Sequence, residues 1–121
     1  MPSEALVVAM ASYHEALQRA GVLRGGDGLR PSREGFRVRF ADGAPTVIDG
    51  PFAETKELVA GFTVLEVASR EEALDWARRW PAEDGGGAVE LEVRPLYEIE
   101  DFGDGEALAR IARVRERLAS A

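Results

Sequence analysis

The stretch from Phe36 to Pro51 constrains this chain more than any other. Phe36, Val38 and Phe40 alternate with Arg37, Arg39 and Ala41. A period of two sends the two sets to opposite faces, so the pattern predicts a strand with one apolar face to bury. Asp42-Gly43 follows, a dipeptide suited to the tight turn of a hairpin. Thr46-Val47-Ile48 reads as the return strand. Asp49-Gly50-Pro51 ends it, because proline lacks the N–H that a ladder needs.

Helical signals flank this hairpin. Leu6, Met10, Tyr13, Leu17 and Ala20 recur at steps of three and four, which predicts a helix over residues 3–20. Ser3 suits its N-cap and Gly21 its C-terminal end. Residues 25–35, rich in glycine and holding Pro31, read as a loop. Phe62, Val64 and Leu65 to Val67 read as a third strand. Ser69 with Glu72 is a capping box. The helix it opens carries Ala73, Leu74, Trp76, Ala77 and Trp80 inward, and Pro81 stops it. Val89, Leu91 and Val93 alternate with Glu90, Glu92 and Arg94 in a fourth strand over 88–97. An acidic connector follows. A last helix spans 104–119, with Leu108, Ile111, Val114 and Leu118 on one stripe and Arg110, Arg113 and Arg117 on another.

Mixed strands and helices in 121 residues predict an α+β fold, with helices on one face of a mostly antiparallel sheet. Three helices leave one side of that sheet to be covered, and a second subunit is a natural cover. No apolar run approaches the ~20 residues of a membrane helix, and residues 1–4 lack the pattern of a signal peptide. A cytoplasmic protein is therefore expected. The formal charge of −7 works against general nucleic-acid binding. With no cysteine and one histidine, disulfides, thiol catalysis and the usual zinc sites are excluded. No cofactor and no bound metal are expected.

Several residues carry chemistry. His14 and Glu15 stand next to each other on the first helix, and adjacent positions point about 100° apart. His14 is therefore read as structural or solvent-facing, not as a base held by Glu15. Asp49 has two open roles. Its carboxylate can accept bonds from the backbone N–H groups that follow and pin the turn, or it can act as a general base where water is excluded. Phe52 reads as an anchor for this loop on the core. Glu54, Lys56 and Glu57 form either a small polar site or a solvated turn with weak surface ion pairs. Gly25-Gly26-Asp27-Gly28 follows a helix and lacks a following Lys-Ser/Thr, so it fails as a phosphate loop. The acids from Glu98 to Glu106 lack the spacing of a calcium loop. Trp76 and Trp80 read as core or interface.

The run Thr46-Val47-Ile48-Asp49-Gly50-Pro51-Phe52-Ala53-Glu54-Thr55-Lys56-Glu57-Leu58, with Gly61-Phe62 after it, closely resembles the signature of the DGPF group of YCII-related proteins. Tyr13, Glu15, Leu17 and Ala20 to Leu23 resemble that family's first helix, and Gly26-x-Gly28-Leu29-x-Pro31 its next loop. Glu71-Glu72-Ala73, Trp76-Ala77 and Pro81 resemble its second helix. Glu90, Glu92 to Pro95 and Glu100 to Phe102 resemble its last strand and tail. The likeness covers roughly residues 2–103. It divides the chain into a YCII-related domain over 1–103 and a C-terminal helical extension over 104–121.

The resemblance implies a ferredoxin-like α+β domain that pairs into a dimeric α/β barrel, with a small cleft in or near the interface. The partner is then a second copy, in a homodimer or a higher homo-oligomer, and the ligand a small polar molecule. One implied function is a lyase- or isomerase-like enzyme in which Asp49 or Glu54 moves a proton and Lys56 steadies an anionic group. The other is a non-catalytic ligand-binding or regulatory dimer, linked to sigma factors of the extracytoplasmic-function type. Two departures stand out. Family members usually open with a strand, central in the sheet, whereas this chain opens at the helix. Either its start is late, or the sheet is rebuilt another way, for example by exchange between subunits. The YCII branch proper also carries a helix histidine where Met10 stands here, so no role passes to His14.

Overall fold

The computed structural model describes residues 2–52 and 59–120. Its order is α1 (Glu4–Arg19), β1 (Leu23–Gly28), β2 (Phe36–Ala41), β3 (Ala44–Asp49), β4 (Gly61–Leu65), α2 (Arg70–Ala77) and α3 (Glu106–Ser120), with short 3-10 turns at Ser32–Glu34, Asp84–Gly87 and Ile99–Phe102. The described residues form an α+β architecture of three helices and two small antiparallel sheets, compatible with a ferredoxin-like fold. The chain forms two compact units, Met1–Val89 and Glu90–Ala121. No helix among the described residues is long and apolar enough to cross a membrane.

In the first unit, α1 begins where Ser3 accepts a bond from the Leu6 N–H at 3.1 Å, satisfying an amide that has no partner inside the helix. Gly21 follows the helix at φ 76°, a conformation that costs glycine little. One face of α1 supplies Tyr13 and Leu17, which with Val22 form the buried cluster. Leu23, Leu65, Val67, Trp76 and Trp80 pack against it. Both tryptophans are thus core. Ser69 accepts from the Glu72 N–H, and the Glu72 carboxylate reaches back to the Ala68 N–H at 2.9 Å. These two bonds start α2, though the carboxylate takes the N–H of the residue before the N-cap and not that of Ser69 as the expected capping box would. The helix ends at Ala77, before Trp80, which still reaches the core from the turn beyond.

β1 replaces the first half of the expected 25–35 loop. It pairs antiparallel with β4 along Gly25↔Val64, Gly26↔Thr63, Asp27↔Phe62 and Gly28↔Gly61. Glycine at three of its six positions leaves no side-chain periodicity to read, although Leu23 packs against the cluster and Arg24 pairs with Glu66. A Cβ on Gly26 would stand 2.6 Å from the Phe62 carbonyl oxygen, so the close pairing of these strands requires glycine there.

β2 and β3 form the expected hairpin, closed at Ala41↔Ala44. Direct cross-strand partners share a face, so Phe36, Val38 and Phe40 stand with Asp49, Val47 and Pro45. This face is not buried within the chain. Phe36 is 66% exposed, Phe40 74% and Val47 63%. The strand period was legible, but the sheet layer that would cover it is absent from the described residues.

In the second unit, residues 90–97 form no strand and have no ladder partner among the described residues, in place of the expected fourth strand. Alternation supplies two faces, but a strand also needs an edge to bond to. Glu92 and Arg94, two residues apart, form an ion pair at 2.8 Å. The acidic connector turns over Ile99–Phe102, where Asp101 accepts from the Glu98 N–H at 2.7 Å. From α3, Arg115 donates to the Tyr97 carbonyl.

Candidate functional site

The turn after β3 is held from the side. Gly50 N–H donates to the Gly35 carbonyl at 3.0 Å, and Phe52 N–H donates to the Ser32 hydroxyl oxygen at 3.2 Å. A Cβ on Gly50 would overlap the Ser32 carbonyl group, so the Asp-Gly-Pro-Phe turn lies flush against the 3-10 turn at Ser32–Glu34. Phe52 is half-buried, and the Arg37 guanidinium sits over its ring at 3.9 Å. Its anchor is thus Arg37 and the Ser32 turn, and Phe52 is not among the side chains packed on the core, where the sequence placed it. Sequence reasoning missed Ser32, because a lone serine in a turn carries no pattern that links it to a strand end twenty residues later.

Asp49 closes β3 opposite Phe36. Its carboxylate makes no hydrogen bond or ion pair among the described residues, so the turn does not consume it. It is exposed, beside the apolar side chains of Phe36, Val38 and Val47. A carboxylate at the edge of an apolar surface is solvated while that surface is open, and loses water when the surface is covered. Glu54 and Lys56, the other two predicted site residues, lie outside the described residues, as does Glu57.

A second polar pair involves His14. Its Nδ1 lies 2.8 Å from the Met10 carbonyl oxygen and its Nε2 3.0 Å from the Thr63 hydroxyl. A carbonyl only accepts, so Nδ1 carries a proton, and in the neutral ring Nε2 then accepts from Thr63. The ring is thereby fixed between α1 and β4, a structural role in keeping with the sequence reading. Tyr13 beside it donates to the Trp76 carbonyl at 2.7 Å. Burial pushes the Tyr13 hydroxyl above its ordinary value, and nearby Arg79 partly offsets that rise. Among the described residues no cluster of three or more acidic or histidine groups could hold a metal ion.

Comparison with known proteins gives two matches. An uncharacterised protein of Rhizobium meliloti (strain 1021) is 41% identical over 70 residues, which is 57% of this chain and 56% of that protein. The match therefore spans little more than half of the relative's length. The model of the YCII-related domain matches residues 1–97. That match includes the hairpin, the Asp49 turn and the Tyr13 core, and on it the chain belongs to the YCII-related domain family.

Proposed function

We propose that the chain is a DGPF-type member of its family and works as a homodimer. A second copy covers the apolar face of β2 and β3, and a small polar molecule binds beside it. Asp49 acts there as acid or base, Glu54 is the second carboxylate, and Lys56 steadies an anionic group. A lyase- or isomerase-like proton transfer needs only such groups. The observation that supports this reading is the Asp49 carboxylate itself. It ends a strand on an apolar face, and the neighbouring turn is pinned by Ser32 and Gly35 without its help.

The test pairs ligand retention with substitution. Small molecules released from the purified protein are identified, and their turnover is followed in the wild type and in Asp49→Asn. Turnover that falls by about a hundredfold or more in the variant supports a proton-transfer role, the usual range for general acid–base catalysis. Saturable binding without turnover in either protein replaces the enzyme with a ligand-binding or regulatory dimer. Unchanged turnover in Asp49→Asn removes Asp49 from the mechanism.

A further inference from the structure

α3 presents an open apolar seam. Ala107, Ile111, Val114 and Leu118 follow one another at steps of four, three and four, the spacing along which two helices pack. At 100° per residue they fall within an arc of about 60°, narrower than the stripe by which a helix covers a core. Val114 is 58% exposed and Leu118 72%. The positions on either side of such a seam are those that face a partner helix. Arg110 and Arg117 stand on one side, Leu108 and Arg115 on the other. Every charged residue beside the seam is thus an arginine. Arg110 meets Glu106 at 3.2 Å with both side chains largely in water, a contact worth little. Arg115 donates to the Tyr97 carbonyl. Arg117 makes no hydrogen bond or ion pair among the described residues.

We propose that this seam seats an acidic amphipathic helix of another protein, one with carboxylates at the positions beside its own apolar seam. The arginines decide between occupants. In a parallel pair of α3 helices Arg110 would face Arg115 of the second copy, and in an antiparallel pair it would face Arg117. Like charges repel in both, so a second α3 is disfavoured. The other two helices of the chain do not match either. α1 carries only Glu4 in its first turn and Glu15, which meets Arg19 at 4.0 Å. α2 has eight residues. Its Glu72 binds the Ala68 N–H and its Asp75 lies 3.9 Å from Arg78, which leaves Glu71 alone. The flat apolar face of β2 and β3 would press the flanking arginines onto apolar side chains, stripping their water without a row of carboxylates in return. A partner helix curves away from the seam. It leaves the guanidinium groups at the rim, their stems packed and their heads in water within reach of acids.

The probe is a designed peptide of about three heptads, long enough to be helical, with leucine along its seam and glutamate at the flanking positions. A twin carries lysine in place of glutamate. Each is titrated by fluorescence anisotropy against the whole chain. The expected result is saturable binding of the glutamate peptide, about tenfold or more tighter than the lysine twin, and weaker as salt rises. Val114→Glu puts a charge in the seam and should weaken binding by about tenfold or more. Circular dichroism should show its helix content unchanged, since the position is exposed. The double variant Arg110→Glu with Arg117→Glu should reverse the preference, taking the lysine peptide and refusing the glutamate one. Absence of saturable binding overturns the proposal. So does equal affinity for both peptides, or a preference that survives the arginine reversal, because an indiscriminate apolar surface gives those results. Binding to phosphatidylglycerol vesicles but not to the glutamate peptide overturns it in favour of an anionic membrane surface. A dimer that Val114→Glu dissociates overturns it in favour of a second copy.

Discussion

The Tyr13 hydroxyl donates to the Trp76 carbonyl at 2.7 Å, and this bond joins α1 to α2 across the buried cluster. Tyr13→Phe keeps the ring and removes the bond, leaving the Trp76 carbonyl with only backbone donors such as the Arg79 N–H. Urea unfolding should show a loss of about 1 kcal/mol. The burial of the same hydroxyl makes stability pH-dependent. Tyr13 is harder to ionise in the folded chain than in the unfolded one, chiefly because it is buried. Its contribution is therefore complete below the unfolded value of about 10 and is lost as pH rises through the higher folded value. Tyr13→Phe should show a shallower alkaline decline than the wild type, and identical slopes would contradict this.

Leu17 is fully buried at the centre of that cluster. Leu17→Ala should cost about 2–5 kcal/mol, the range for emptying a packed leucine site. With so few fully buried side chains in the first unit, the variant is expected to lose its cooperative unfolding transition in urea.

His14 should be found with a proton on Nδ1, which nitrogen-15 chemical shifts detect directly. Thr63→Val removes the donor to Nε2 and should cost about 1 kcal/mol. A ring protonated on Nε2 alone would show that Met10 does not accept its proton.

Gly26→Ala forces a methyl toward the Phe62 carbonyl at a backbone φ of +153°. Both effects oppose it, and a loss of about 2 kcal/mol or more is expected. Amide hydrogen exchange should quicken in β1 and β4 before it does in α1. Equal protection in variant and wild type would mean that the two strands are not closely paired at this point.

Much of this was legible from residue types. Ser3 and the Ser69/Glu72 pair mark helix starts by local chemistry, and they cap as read. Asp42-Gly43 encodes the hairpin because the turn needs positive φ at both positions, and Asp42 has φ 54°. β1 was not legible, since glycine pairs through backbone groups that leave no side-chain signal. Residues 88–97 carried a strand signal without a strand, because alternation says nothing about whether an edge is available. At the candidate site, Asp49 was visible as a residue type at a strand end. Its freedom from the turn was not, because that depends on Ser32 taking the Phe52 N–H.

The central claim is that a second copy covers the β2–β3 face and that Asp49 works beside it. Native mass spectrometry of the purified protein tests this most directly. The account predicts a species at twice the 13.1 kDa chain mass, carrying a small polar molecule that Asp49→Asn fails to retain while remaining dimeric. A monomer at micromolar concentration, with the apolar face of Phe36 and Phe40 open to water, would contradict it.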